Sequence, residues 1–349
     1  MRLIQPHIPL KEKMFFVEHL SVMLRAGIPL DRALSTLAEQ TTHKGFRRIL
    51  QSILETVSKG ETLSSGLARF QSIFGGFFVN MIQAGEYSGK LEEGLKRLYV
   101  QMKKDYELRS KVTSALTYPA FVIIAMIGIG SAIMFFVVPK LIPLFEGFGA
   151  ELPLATRILI GISRFLSQYA LFVALSAIAG IITAVKLIRG PLRRPWHSLL
   201  LHIPIMSGLI KRVNIARFSR TLSTLLSTDI LVVDALTITS KILGNEHYKS
   251  AVAQAAQNIK QGIPIATALK AYPSLFPPTL HTMVQVGEES GTLVDLLNEV
   301  AEFYEESVDD TTKSISSIIE PALIILLGGA VGGIALAILM PMYSLMDQI

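Results

Sequence analysis

Nucleotide chemistry is the first possibility that this sequence raises. Gly85-Glu-Tyr-Ser-Gly89-Lys90 comes close to a phosphate-binding loop. In such a loop backbone N–H groups cradle phosphates, a lysine reaches them and a hydroxyl holds Mg2+. The glycine spacing here is one residue short, Leu91 stands where the Mg2+ ligand belongs, and the approach "GGFFVNMIQ" reads as helix rather than strand. No H-E-x-x-H is present, and the serine of "GEYSG" sits one place late for a nucleophile elbow. The seven histidines (His7, His19, His43, His197, His202, His247 and His281) are scattered singly, and there is no cysteine. Disulfides and thiolate chemistry are excluded, and metal catalysis has no ligand set to stand on. The expectation is a protein without enzymatic activity or cofactor.

The elements that carry these residues are membrane-bound. Of 349 residues 50% are hydrophobic and only 17% charged, with a mean hydropathy of +0.48. That balance points to membrane helices joined to soluble parts. Three stretches approach the ~20 apolar residues a span requires. They are "AFVIIAMIGIGSAIMFFVV" from Ala120, "YALFVALSAIAGIITAV" from Tyr169 and "ALIILLGGAVGGIALAILM" from Ala322. The N-terminus has no apolar signal region, so a cleavable signal peptide is not expected.

Basic residues near span ends mark the cytoplasmic side. Residues 1–117 carry 17 Lys and Arg against 11 Asp and Glu, and residues 186–220 hold eight basic residues and no acid. The resulting map is a cytoplasmic helical domain over 1–117, spans at 118–139 and 169–188 around an external loop at 140–168, a second cytoplasmic helical domain over 189–319, and a third span at 320–346. Residues 347–349 fall outside. Beside a bilayer the basic run is read as a topology signal, so no direct nucleic-acid contact is expected. Trp196 reads as an interfacial anchor.

The opening motif recurs. "MIQAGEYSGKL" at 81–91 matches "MVQVGEESGTL" at 283–293 in seven of eleven positions, at an offset of 202. The same offset pairs Leu20 with Leu222, Gly60 with Gly262, Phe74 with Phe276, Pro119 with Pro321 and Pro139 with Pro341. Two soluble units, each running into a span through a proline, are copies. The middle span belongs to neither and returns the chain to the same side. The lysine of the would-be phosphate loop is Thr292 in the second copy, which removes the nucleotide reading.

As structure, the motif predicts a helix–turn–helix hairpin. Gly85 and Gly287 are expected to end the first helix with positive φ. Ser88 and Ser290 are expected to cap the next, beside the acids Glu92, Glu93 and Asp295. Leu91, Leu95, Leu98 and Met102 then form an apolar stripe, matched by Leu293, Leu296 or Leu297, Val300 and Tyr304. "VEHLSVMLRAGIPLDRAL" predicts another hairpin, broken at Gly27 and Pro29 and capped near Asp31. Turn chemistry does not account for Glu86 and Glu288. Each carboxylate accepts nearby N–H groups or pairs with a basic neighbour, or docks a partner, or joins Asp31 at a divalent cation.

No span has a charge in its core, which argues against a pump or ion-coupled transporter. Gly328, Gly329, Gly332 and Gly333 form overlapping G-x-x-x-G patterns, expected to pack closely on another helix. The copies also differ. Residues 286–310 hold nine acids and no base, whereas 84–108 hold five of each. An acidic helix of this kind is expected to meet a basic surface, either on the first copy or on a partner.

Two copies of Q-x-G-E-x-S-G-x-L, each followed by a long helix into a proline-led span ("SALTYPAFV", "SSIIEPALI"), resemble the F family of type II secretion systems. That family includes the inner-membrane platform proteins of type IV pilus assembly. Gly85, Glu86, Ser88 and Gly89, with Gly287, Glu288, Ser290 and Gly291, match its motif. The resemblance implies an all-α multi-pass protein of the bacterial inner membrane with its N-terminus in the cytoplasm. It implies a scaffold whose helical domains contact a hexameric secretion ATPase. Pilin-like subunits, other inner-membrane assembly proteins, lipid and further copies of the chain are the remaining partners. Many members carry an additional stretch before the first repeat, whereas Phe15 here lies near the start. Secretion, pilus and DNA-uptake machines stay open, with a repeat-built transporter as the alternative of a different class.

Overall fold

The computed structural model describes residues 8–147, 153–228 and 230–346. Expectations for residues 1–7, for 148–152 within the 140–168 loop, and for the placement of 347–349 lie outside the described residues. Among these residues every regular element is helical. The first repeat contains α1 (Leu10–Arg25), α2 (Leu30–Gln40), α3 (Lys44–Ser58), α4 (Leu63–Ala68), α5 (Gln71–Phe74), α6 (Gly76–Tyr87) and α7 (Leu91–Ala132). A π-helical turn, Ile133–Val137, leads into α8 (Val138–Gly147), followed by α9 (Leu154–Gln168) and α10 (Ala170–Arg189). Then come α11 (Arg193–His202), α12 (Pro204–Leu226), α13 (Val232–Ile242), α14 (Glu246–Lys260), α15 (Ile265–Lys270), α16 (Pro278–Ser290) and α17 (Leu293–Met346). Five helices of the second repeat, α13 to α17, each start 202 residues after α2, α3, α4, α6 and α7.

The duplication extends to the core. Phe16, Phe46 and Phe74 meet at centroid distances of 5.9 to 6.4 Å, and of their counterparts Phe276 meets Phe218 at 5.5 Å and Tyr248 at 5.3 Å. Tyr248 replaces a phenylalanine, and its hydroxyl donates to the Leu275 carbonyl at 2.6 Å, which satisfies the one polar atom the exchange buries. Ser21 donates to the Glu92 carbonyl and, 202 residues on, Ser223 donates to that of Val294. The stripe on α7 is buried at Leu95, Leu98 and Met102; on α17 the buried member is Leu297 rather than Leu296.

The chain forms two compact units, and the division differs from the expected one. One unit runs to Lys111 and adds His197–Asp309; the other is Val112–Trp196 with the chain from Asp310. The two repeats are therefore not separate cytoplasmic domains. A single buried apolar cluster draws on both, from Phe16 and Leu50 to Leu222 and Phe276. The boundaries at 117 and 319 fall inside α7 and α17, helices that continue unbroken, so no loop marks them.

Polar contacts link the repeats along α7. Arg97 donates to the Ser227 carbonyl at 2.8 Å, Gln101 to the Thr221 hydroxyl at 3.2 Å, and Arg217 stands 2.6 Å from Asp105. The Arg217–Asp105 contact is close enough for an ion pair but not aligned as a hydrogen bond. Burial lowers the Arg217 pKa, and Asp105 opposes that shift.

Among the described residues three helices are long and apolar enough to cross a membrane: α7 with its continuation to Pro143, α10, and α17. Their apolar windows are at most 11% buried within the chain, as lipid-facing helices are. The expected loop at 140–168 is largely helical, since α8 and α9 occupy most of it.

Candidate functional site

The two G-E-x-S-G segments end α6 and α16 and turn the chain into α7 and α17. The positive φ falls at Gly89 (69°) and Gly291 (73°), not at Gly85 and Gly287. Gly85 and Gly287 lie inside helices and are required for a different reason. A Cβ on Gly85 would stand 3.2 Å from the Leu91 Cα, and one on Gly287 only 2.8 Å from the Leu293 Cα. These glycines let the hairpin fold back on itself.

The serines do not cap the following helix. Ser88 donates to the Ala84 carbonyl at 2.9 Å and Ser290 to that of Val286 at 2.6 Å, so both close the helix they end. The last carbonyls of a helix lack intrahelical donors, and a hydroxyl four residues on reaches them readily. Asp31 likewise lies in the first turn of α2, whose N-cap is Pro29 without a side-chain bond.

The glutamates are bound by the fold. Glu86 accepts from the N–H groups of Leu63 and Ser64 at 2.5 and 2.9 Å. Glu288 accepts from Ile265 and Ala266 at 2.6 and 2.9 Å. Each carboxylate thus caps a six-residue helix, α4 or α15, from 22 to 23 residues away. Helices this short do not hold by propensity alone, and an anion at the N-terminus satisfies two orphan donors and the helix dipole together. Both oxygens of each carboxylate are engaged by backbone donors, and each glutamate also lines a cleft. The alternative cation site has no support beside it, because among the described residues no three His, Asp or Glu side chains gather.

Replacing Glu86 or Glu288 by Gln keeps one acceptor and turns an NH2 toward the other N–H. The expected loss is about 2 kcal/mol at each site. Hydrogen exchange of the Leu63–Ser64 or Ile265–Ala266 amides should then quicken about 30-fold. Unchanged protection in both variants would remove the capping role.

A cleft opens beside each capped helix. In the second copy it measures about 590 Å3, lined by Thr267, Lys270, His281, Gln285 and Glu289; in the first about 320 Å3, lined by Ser65, Ala68, Val79, Gln83 and Tyr87. Burial, with the nearby Lys270, lowers the His281 pKa.

The acidic helix meets the first copy in part. Glu305 is buried, takes a two-pronged hydrogen bond from Arg220 at 2.9 and 3.1 Å, and lies 3.2 Å from Lys104. Asp309 lies 3.3 Å from Lys111. Glu289, Asp295, Glu299, Glu302 and Glu306 stay exposed. The glycines Gly328, Gly329, Gly332 and Gly333 have nothing within 4 Å of an added Cβ. Among the described residues, then, no other helix approaches the side on which their Cβ atoms would stand.

The family described as type II secretion system (T2SS), protein F matches this chain twice, over residues 16–139 and 218–341. The chain belongs to that family. The matched segments are again offset by 202 residues, so each repeat of the T2SS F chain is one family unit. Similar proteins include a type IV pilus assembly protein PilC of Thermus thermophilus, 38% identical over 97% of this chain and 84% of its own length. A PilC of Myxococcus xanthus is 34% identical over 97% and 81%. A type II secretion system protein F of Vibrio cholerae is 31% identical over 93% and 80%.

In this F-family chain the positive φ and the helix-start caps expected at Gly85, Gly287, Ser88 and Ser290 fall elsewhere, whereas Glu86 and Glu288 do accept nearby N–H groups, the first of the readings given for them. The partners of Glu86 and Glu288 are backbone groups, which carry no signature. The one available signal was the fixed spacing of 23 residues from Leu63 to Glu86 and from Ile265 to Glu288.

Proposed function

We propose that this chain is a non-enzymatic platform of a secretion or pilus-assembly machine in the bacterial inner membrane. The carrying observation is the double family match, which extends over both repeats and two of the three spans, together with relatives named for type IV pilus assembly and type II secretion. In this reading 1–117 and 189–319 are cytoplasmic, 140–168 and 347–349 lie on the far side, and the repeat unit couples a hexameric ATPase to polymerisation of pilin-like subunits. The membrane helices meet those subunits, other assembly proteins, lipid and further copies, with Gly328, Gly329, Gly332 and Gly333 as the close-packing face. An impermeant thiol reagent that labels a cysteine at position 60 in intact cells overturns the orientation.

The exposed acids of α17 are the proposed ATPase contact, since Glu305 and Asp309 are buried or half-buried in pairs within the fold, while Glu302, 3.7 Å from Arg220, keeps 66% of its side chain exposed. Changing Glu299, Glu302 and Glu306 to Gln in the full chain in lipid nanodiscs should slow association with the cognate ATPase about tenfold at low salt. High salt should erase the difference. Binding that ignores both the substitutions and salt removes the acidic helix from the contact.

A further inference from the structure

Helix α9 lies in the segment expected to be an external loop, yet its bonds are those of a helix inside a membrane. Thr156, fully buried, donates to the Ala337 carbonyl of α17 at 2.7 Å. Ser163, also fully buried, donates to the Met134 carbonyl in the π-helical turn at 2.7 Å. Both acceptors are carbonyls that a proline strands. The residue four beyond Ala337 is Pro341, which has no N–H. Val138, four beyond Met134, gives its N–H to Ile133, and the next residue is Pro139. Pro139 and Pro341 are the repeat pair at offset 202. In hydrocarbon no water is available to satisfy such groups, and a neighbouring hydroxyl is the usual remedy.

The rest of α9 is divided as a membrane-interface helix would be. Thr156, Leu159, Ile160 and Ser163 face the protein, and Leu159 joins Val138 and Ala337 in a small buried cluster. Leu154, Ile158, Ile162 and Phe165, spaced 4, 4 and 3, form an exposed apolar stripe, with Leu154 at 76% and Ile158 at 60%. Arg157 and Arg164, seven apart, share one flank between these faces. The stripe continues through the Phe165–Tyr169 ring contact at 5.3 Å into Leu171 and Phe172 of the spanning helix α10. An aromatic pair at a span end is an interfacial feature.

We propose that α9 is embedded in the bilayer interface, clasped to the first and third spans by Thr156 and Ser163, with its Leu154–Phe165 stripe against lipid acyl chains. The occupant of that face is lipid because the face is continuous with a spanning surface. Its width and its arginine flank are those of an amphipathic helix lying in the interface.

The absence of cysteine permits single spin labels in the full chain reconstituted in lipid nanodiscs. Labels at Ile158→Cys and Phe165→Cys should be several-fold more accessible to oxygen than to a water-soluble nickel chelate, and a label at Arg164→Cys should show the reverse. Nickel access at 158 and 165 equal to that at an aqueous position such as 60 overturns the proposal. Exclusion of both reagents from 158 and 165 also overturns it, because another protein copy then covers the stripe. Thr156→Val with Ser163→Ala should raise the mobility and nickel access of the 158 label; no change refutes the clasp.

Discussion

Asp105→Ala is expected to cost about 3–5 kcal/mol, the largest single loss in the repeat unit, because it leaves a buried guanidinium without its partner. Arg217 is 8% exposed and lies in the contact between the repeats. Asp105 is also paired with Arg109 at 2.8 Å, so removing it leaves Arg217 with a second, more exposed cation nearby and no carboxylate between them. The cost is one of desolvation and not of a missing contact. Replacing both partners, Asp105→Ala with Arg217→Met, should therefore recover most of the loss. Hydrogen exchange across 102–108 and 214–220 in the full chain reads it as opening faster by a factor between about 150 and several thousand in the single variant. A single variant as protected as the parent would mean that water already reaches Arg217, and the pair would then be a surface one.

Gly287→Ala is the second large effect, and it differs from Gly85→Ala. Its Cβ would stand 2.8 Å from the Leu293 Cα, against 3.2 Å from the Leu91 Cα in the first copy. Real Cβ atoms do not approach backbone at 2.8 Å, so α16 and α17 must separate. That movement also draws Glu288 away from the N–H groups of Ile265 and Ala266. A loss of about 3 kcal/mol is expected at 287 and about 1 kcal/mol at 85, where a shift of a few tenths of an ångström suffices. Thermal unfolding of the two variants checks the order. Equal melting temperatures would show that the second hairpin relaxes as easily as the first.

These two predictions mark what the sequence could and could not convey. Helical periodicity, the spans and the offset of 202 were legible, because each is a pattern of side-chain types along the chain. Leu95, Leu98 and Met102 are buried where the period put them. The role of Gly85 was not legible, since a glycine kept for positive φ and one kept for close approach look identical in sequence. Hydroxyls favour N-caps, which points Ser88 to the start of the next helix; in the structure it bonds four residues back, at the end of the previous one. The union of the repeats was hidden for another reason. Arg97, Gln101 and Asp105 lie on a helix face that reads as solvated, and only tertiary structure sets it against Ser227, Thr221 and Arg217.

The unequal charge of the two copies bears on stoichiometry. A duplicated fold presents its scaffold twice, and a partner that recognised the shared scaffold would bind twice. The exposed carboxylates of α17, Glu299, Glu302 and Glu306 among them, have no equivalent on α7, where the positions 202 residues earlier are Arg97, Val100 and Lys104. A partner that reads this charge meets one half and is refused by the other. Under the proposed ATPase contact one chain offers one seat, and the number of chains around such a ring would follow the ring's symmetry and not the duplication.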